Sequence, residues 1–224
     1  MNTEYLKKNN TKKYLCYFGG VFLNFLYSFF NDILIFCMQG NGTIPYDQWW
    51  YIFGKVIFFI LLLFIWKKLM FSVDFFQLRF SIFYFIFMLF ILLIIWPGVW
   101  RWDEMITLGA LTDASLYHWQ HWLSGFYYYI CLQFIPCPGG IIIVQLALIS
   151  LIVGSIINEL YKYLNTKWIY LMFVLLFFPA VIDNNFYPIR SSICTYLEFY
   201  LIFEIILVRI GNKETNILKL LQLG

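Results

Sequence analysis

The sequence predicts an all-α fold, a polytopic transmembrane helical bundle of about six spans, and three observations carry that expectation. Only 12% of the residues are charged and 62% are hydrophobic, against the roughly 25% and 45–50% of soluble domains. The apolar residues gather into runs near the ~20 that a helix needs to cross a bilayer, and mean hydropathy is +0.77. None of these runs shows the period-two alternation of a membrane barrel, so helices, which satisfy their own backbone groups in lipid, are the fitting solution.

In chain order the spans are expected near 14 to 38, 49 to 66, 80 to 96, 139 to 158, 168 to 182 and 191 to 209, all within a single transmembrane domain over 1 to 224. The first is interrupted by Asn24, Asn31 and Asp32. It is too long for a signal-peptide core and lacks a small-residue cleavage site, so it is expected to remain as an anchor. Five cysteines, Cys16, Cys37, Cys131, Cys137 and Cys194, include no C-x-x-C pair, so neither a disulfide framework nor a zinc site is signalled. Cys131 and Cys137 are the one pair that would bridge in an oxidising compartment.

Orientation follows from the basic residues, because cytoplasmic segments collect Lys and Arg. Lys7, Lys8, Lys12 and Lys13 precede span one, and Lys67, Lys68 and Arg79 lie between spans two and three. Lys162 and Lys167 separate spans four and five, and Arg209, Lys213 and Lys219 follow span six. With six spans these all fall on one face, which predicts a multi-pass protein of the cell membrane with both termini cytoplasmic. The opposite face receives Arg101 and Arg190, with Lys55 inside span two near that side. Topology thus explains the basic pI, and no nucleic-acid partner is expected.

The segment 97 to 138 is then extracytoplasmic. It is rich in Trp and Tyr, which favour a membrane–water interface. From Asp113 onward Leu116, Trp119, Leu123, Phe126 and Ile130 recur at helical spacing. That predicts an amphipathic juxtamembrane helix on the outer surface, capped at its start by Thr112 or Asp113. "PCPGG" at 136 to 140 turns the chain into span four.

The charges in this segment are the candidate chemistry. "WPGVWRWDEM" places Arg101, Asp103 and Glu104 directly after an apolar run. A carboxylate at that mouth can act as general base toward an acceptor hydroxyl or hold a divalent ion through its oxygens; the plainer explanation is that charges end a span. His118, Gln120 and His121 offer polar substrate contacts, yet two histidines make an incomplete zinc site. In "DNNFYPIRSS", Arg190 stands on the cation-poor face, where a guanidinium suits a phosphate; it can equally pair with Asp183, with Ser191 capping the next span. Asp32, Glu198 and Glu204 lie within spans, where ionisable groups are costly and functional by default. No nucleotide-binding glycine loop occurs.

Taken together, "PGVWRWDE", "YHWQHWLSGFYYYICLQF", the P-x-P-x-G turn, "IIIVQLALISLIVG" and "YPIRSS" resemble the N-terminal part of bacterial polytopic glycosyltransferase-like proteins of the GT-C superfamily, over roughly 80 to 205. The resemblance implies a sugar transferase that uses a polyprenyl-phosphate-linked donor, with membrane lipid around it and a catalytic acid in the first large outer loop. It implies Asp103 as that carboxylate, Glu104 as its neighbour or substitute, His118 and His121 as the polar positions of the juxtamembrane helix, and Arg190 against the donor phosphate; Arg101 and Gln120 beside them complete the expected substrate-binding residues. A divalent metal ion, held by Asp103 and Glu104, belongs to the same expectation. Six spans are fewer than such enzymes carry, which implies a truncated copy or one half of a split enzyme whose partner subunit supplies further helices. The rival from another class is a non-enzymatic membrane protein, a transporter, export component or inactive remnant, hinted at by Asp32, Glu198 and Gly154.

Overall fold

The computed structural model describes residues 2–38, 42–71, 75–116, 119–164, 176–177, 179–188 and 190–209; within these, the side chains of 2–12, 75–77, 119–121, 162–164, 179–180 and 190–191 are outside the description. Every regular element among the described residues is helical. They are α1 (Asn2–Asp32), continued by a π-helical turn over Ile33–Met38, then α2 (Trp49–Phe71), α3 (Phe75–Ile94), α4 (Trp102–Thr112), α5 (Trp119–Leu132), α6 (Pro138–Leu164), α7 (Pro179–Asn185) and α8 (Arg190–Arg209).

Three of the described helices are long and apolar enough to cross a membrane, over Lys13–Met38, Trp49–Phe71 and Pro138–Tyr161; Leu78–Ile94 is a shorter apolar helix. The expected second span is extended to Phe71, because Lys67 and Lys68 continue its last turns, and the third starts earlier, at Phe75. Most of the fifth expected span, 168 to 182, lies outside the described residues.

The chain divides into two compact units. The first comprises residues 1–75 and 100–144. Here α1 and α2 form a hairpin with Val21, Phe58 and Leu62 in its seam. A Cβ on Gly20 would lie 2.6 Å from the Trp66 ring, so the glycine lets that indole close on α1. The outward residues, Phe18, Phe22, Leu26 and Phe30 on α1 and Ile60 and Phe64 on α2, are exposed and apolar, as a lipid-facing surface requires. At the other end Ile35, Phe36, Trp50 and Tyr51 pack with Leu111, Tyr128, Tyr129, Cys131 and Leu132 in one core.

That core revises the helix expected within 97 to 138. A helix the periodicity missed, α4, runs over Trp102–Thr112, and Asp113 ends it rather than starting the next. The reason is its C-terminal geometry. Ala114 sits at φ 54, its N–H donates to Leu111 O at 3.0 Å and that of Ser115 donates to Ala110 O at 2.7 Å, the paired bonds of a Schellman stop. Helix α5 begins only at Trp119, and its second half is not a wet surface helix, since Tyr128, Tyr129, Cys131 and Leu132 are fully buried. Cys131 and Cys137 do not bridge; both are free thiols.

The second unit comprises residues 76–99 and 145–224. Gly154 lies against Ser81, so α3 and α6 approach through a small-residue contact, a common way for apolar helices to pack. Helix α6 is unbroken through Gly154, which accounts for that glycine without a transporter-like break. The turn after α7 is pinned: Gln145 Nε2 donates to Asn185 O at 3.0 Å and to Tyr187 O at 2.6 Å. Asn185 Nδ2 donates to the Tyr84 hydroxyl at 3.2 Å.

Candidate functional site

The acidic pair splits at the start of α4. Arg101 is the extended residue before the helix, at φ −98 and ψ 170. A guanidinium has no acceptor and cannot cap the first N–H groups. Glu104 supplies half of a capping box instead: the Arg101 N–H donates to Glu104 Oε2 at 3.1 Å, and both acids sit where the helix dipole favours negative charge. Asp103 is exposed. Its backbone carbonyl accepts from the Thr107 hydroxyl at 2.8 Å, while among the described residues its carboxylate makes no hydrogen bond or ion pair.

Helix α4 is held by its other face. Thr107, Leu111 and Thr112 are buried, and Leu108 and Ala110 pack on the core shared with α5. The Trp100 ring meets the Tyr128 ring edge-on at 6.1 Å. Burial, and after it the neighbouring Glu104 carboxylate, push the Tyr128 hydroxyl above the usual phenol range. The start of α4 is therefore anchored to the middle of α5, with Asp103 facing outward.

The remaining expected site residues are less completely described. His118 lies outside the described residues; Gln120 and His121 fall in the first turn of α5, with their side chains outside the description. Arg190 opens α8, its side chain likewise outside. Asp183 is exposed, and the Ser192 hydroxyl donates to Asn184 O at 2.9 Å, bracing the loop on α8. Asp103 and Glu104 lie in the first unit and Arg190 in the second. Among the described residues no three His, Cys, Asp or Glu side chains come together as a metal site; Asp103 and Glu104 would hold a divalent ion only with further ligands.

What sequence reasoning missed is the pairing of two residues it had named apart. Asp32, at the end of α1, is fully buried, and its Oδ2 lies 2.7 Å from Lys55 Nζ on α2. Oδ2 also accepts from the Tyr51 hydroxyl at 2.8 Å. Oδ1 accepts from Gln133 Nε2 at 3.1 Å and from the Tyr129 hydroxyl at 3.5 Å. Lys55 Nζ in turn donates to Gln133 Oε1 at 2.6 Å and to Ser28, whose carbonyl and hydroxyl lie at 3.0 and 2.9 Å. It also stands 4.5 Å from the centre of the Phe29 ring. The Asn31 amide donates to Gln133 O at 2.6 Å.

A signal was present. Asp32 stands as far before the end of the first span as Lys55 stands after the start of the second. In an antiparallel hairpin those positions share a depth, and a lone charge at either would be costly. Tyr129 comes from α5 and Gln133 from the turn that ends it, and Gly54 makes room for the tyrosine: a Cβ there would lie 2.5 Å from its ring.

Compared with known proteins, the sequence matches no family model, no curated protein and no solved structure.

Proposed function

We propose that this chain is a GT-C-like membrane glycosyltransferase with Asp103 as its general base. In this proposal six spans place both termini in the cytoplasm and the loop 97 to 138 outside. There the enzyme moves a sugar from a polyprenyl-phosphate donor to an acceptor hydroxyl. The observation that carries the proposal is the division of labour at the start of α4. Glu104 is engaged in closing the helix end, whereas Asp103 is exposed and presented from a helix whose opposite face is buried. A base must be reachable by the proton it takes and carried on a fixed element; Asp103 is exposed, and its helix is held by a buried opposite face.

In the reaction Asp103 takes the acceptor hydroxyl proton as the oxygen attacks the anomeric carbon. The bond from that carbon to the phosphate oxygen breaks, and the lipid phosphate leaves with the electron pair. Arg190, with His118 and His121, is assigned to the phosphate and the sugar by the resemblance and by the chemistry of these side chains.

The test is transfer from a polyprenyl-phosphate-linked sugar by the purified full chain in lipid nanodiscs, wild type against Asp103→Asn and Glu104→Gln. Loss of one general base predicts a fall in kcat of at least about a hundredfold for Asp103→Asn, with Glu104→Gln close to wild type because an amide still caps. Equal activity of Asp103→Asn and wild type would show that the base lies elsewhere. A folded wild type that transfers from no such donor would leave the rival, a transporter-like or export protein. That rival draws on the buried Asp32–Lys55 pair, yet the pair's bonding positions are filled by protein groups.

A further inference from the structure

The Asp32–Lys55 pair has no spare valence. A carboxylate offers about four acceptor positions and an ammonium three donors. Here Asp32 receives Lys55, Tyr51, Gln133 and Tyr129, and Lys55 reaches Asp32, Gln133 and Ser28. The cluster is neutral, and Asp32 and Gln133 are at most 1% exposed. Neither an ion nor a substrate can enter without evicting a protein group. It is therefore built to hold a geometry, and its partners show which one: Ser28 and Asp32 belong to α1, Tyr51 and Lys55 to α2, and Tyr129 and Gln133 to α5 and the turn that ends it.

We propose that Asp32, Lys55 and Gln133 are positioning residues, which fix α5 on the α1–α2 hairpin and through α5 set the place of α4 and of Asp103. The route is continuous. Gln133 and Tyr129 hold the C-terminal end of α5, Tyr128 on the same helix meets Trp100 and neighbours Glu104, and Glu104 closes the turn that presents Asp103. The hairpin is thereby part of the unit that carries the base. The assignment to catalysis rests on the proposed transferase activity, but the fixing of α5 does not.

The two parts separate in one set of variants of the full chain in phosphatidylcholine nanodiscs. Asp32→Asn and Lys55→Met each leave a buried polar group without its counter-charge and should lower the midpoint of thermal unfolding. The double variant Asp32→Leu with Lys55→Met removes both charges, so it escapes the unpaired-ion penalty of the single variants and costs only the hydrogen bonds of the neutral partners Gln133, Tyr51 and Tyr129. It therefore separates support from positioning. Helix placement is read at Cys131, two residues before Gln133, which is 1% exposed in the core beside Tyr51 and Tyr129. Its alkylation by a maleimide is followed by mass spectrometry of its own peptide.

For the double variant we expect a midpoint above those of both single variants, Cys131 labelled about ten times faster, and kcat reduced at least about tenfold with KM for the lipid-linked donor within about twofold, a tenfold change being about 1.4 kcal/mol. Gln133→Leu should move Cys131 and kcat the same way. A double variant with wild-type midpoint, wild-type Cys131 protection and wild-type kcat would overturn the proposal. Should the wild type show no transfer, the transferase assignment fails on its own account, and Cys131 protection alone decides whether the network positions α5.

Discussion

Two acid-bearing charge clusters sit at opposite extremes of the first unit's chemistry. Asp32 and Lys55 are buried, and each is bonded to its limit. Arg101, Asp103 and Glu104 stand at the exposed start of a helix, and Glu104 closes the turn while Asp103 faces outward. The contrast follows from solvent. Inside, an unmet bond on an ion costs several kcal/mol, so the fold supplies every partner and leaves no capacity for reaction. Outside, water meets the unfilled positions at little cost, so a carboxylate can stay open to substrate. The buried pair is the more conspicuous in a structure and the less suited to catalysis.

The comparison breaks most sharply through activity. Asp103→Asn should reduce sugar transfer at least about a hundredfold while costing stability no more than the lost helix-dipole interaction, about 0.3–1 kcal/mol, because its carboxylate bonds to nothing among the described residues. Lys55→Met should do the reverse in stability, costing about 3–5 kcal/mol through an unpaired Asp32, measured as a drop in the denaturation midpoint in detergent. Gly54→Ala sets a Cβ against the Tyr129 ring; overpacking of that kind costs about 1–3 kcal/mol, and the same measurement should place it below Lys55→Met. The smallest effect is expected at the end of α4. Ala114→Gly relieves a left-handed alanine and should stabilise by about 1 kcal/mol, with transfer unchanged. If Lys55→Met proved harmless to stability, or Ala114→Gly altered transfer, the separation between the two clusters would be mistaken.

The thiols sharpen the same division. Burial pushes the Cys131 thiol up to about 12, so slow alkylation is expected in the folded chain, whereas an opened α5 would return the thiol toward its ordinary range.

How much of this was legible depended on the distance over which each feature is encoded. The apolar class of the chain is a property of composition, and α2 and α6 are single uninterrupted runs, so their placement followed directly. Helix α4 was missed because Trp102 to Thr112 carries charges at its start and a glycine near its end, which read as loop. Asp113 reads as a helix start because an Asp beside a Thr suits either end; the left-handed Ala114 that decides it has no local signature. The tyrosines of α5 are expected at an interface, yet Tyr128 and Tyr129 are buried, and the room for Tyr129 is made by Gly54 on another helix. The Asp32–Lys55 pair was visible only to a comparison of depths between two spans. The charged pair Asp103 and Glu104 is legible as neighbours in sequence; that Glu104 closes the helix start while Asp103 stays exposed needed the structure.

Gln133 carries a consequence for how this sequence can drift. Its carbonyl end faces the ammonium and its amino end faces the carboxylate, so a neutral dipole is wedged between two opposite ions and its orientation is dictated at both ends. A glutamate there would set a second negative charge beside Asp32, and a lysine a second positive one beside Lys55. The position is thus bound to an amide for as long as both ions persist. Descendants of this chain that lost Asp32 and Lys55 together would be released from that restriction, and position 133 would then be expected to vary in step with the other two.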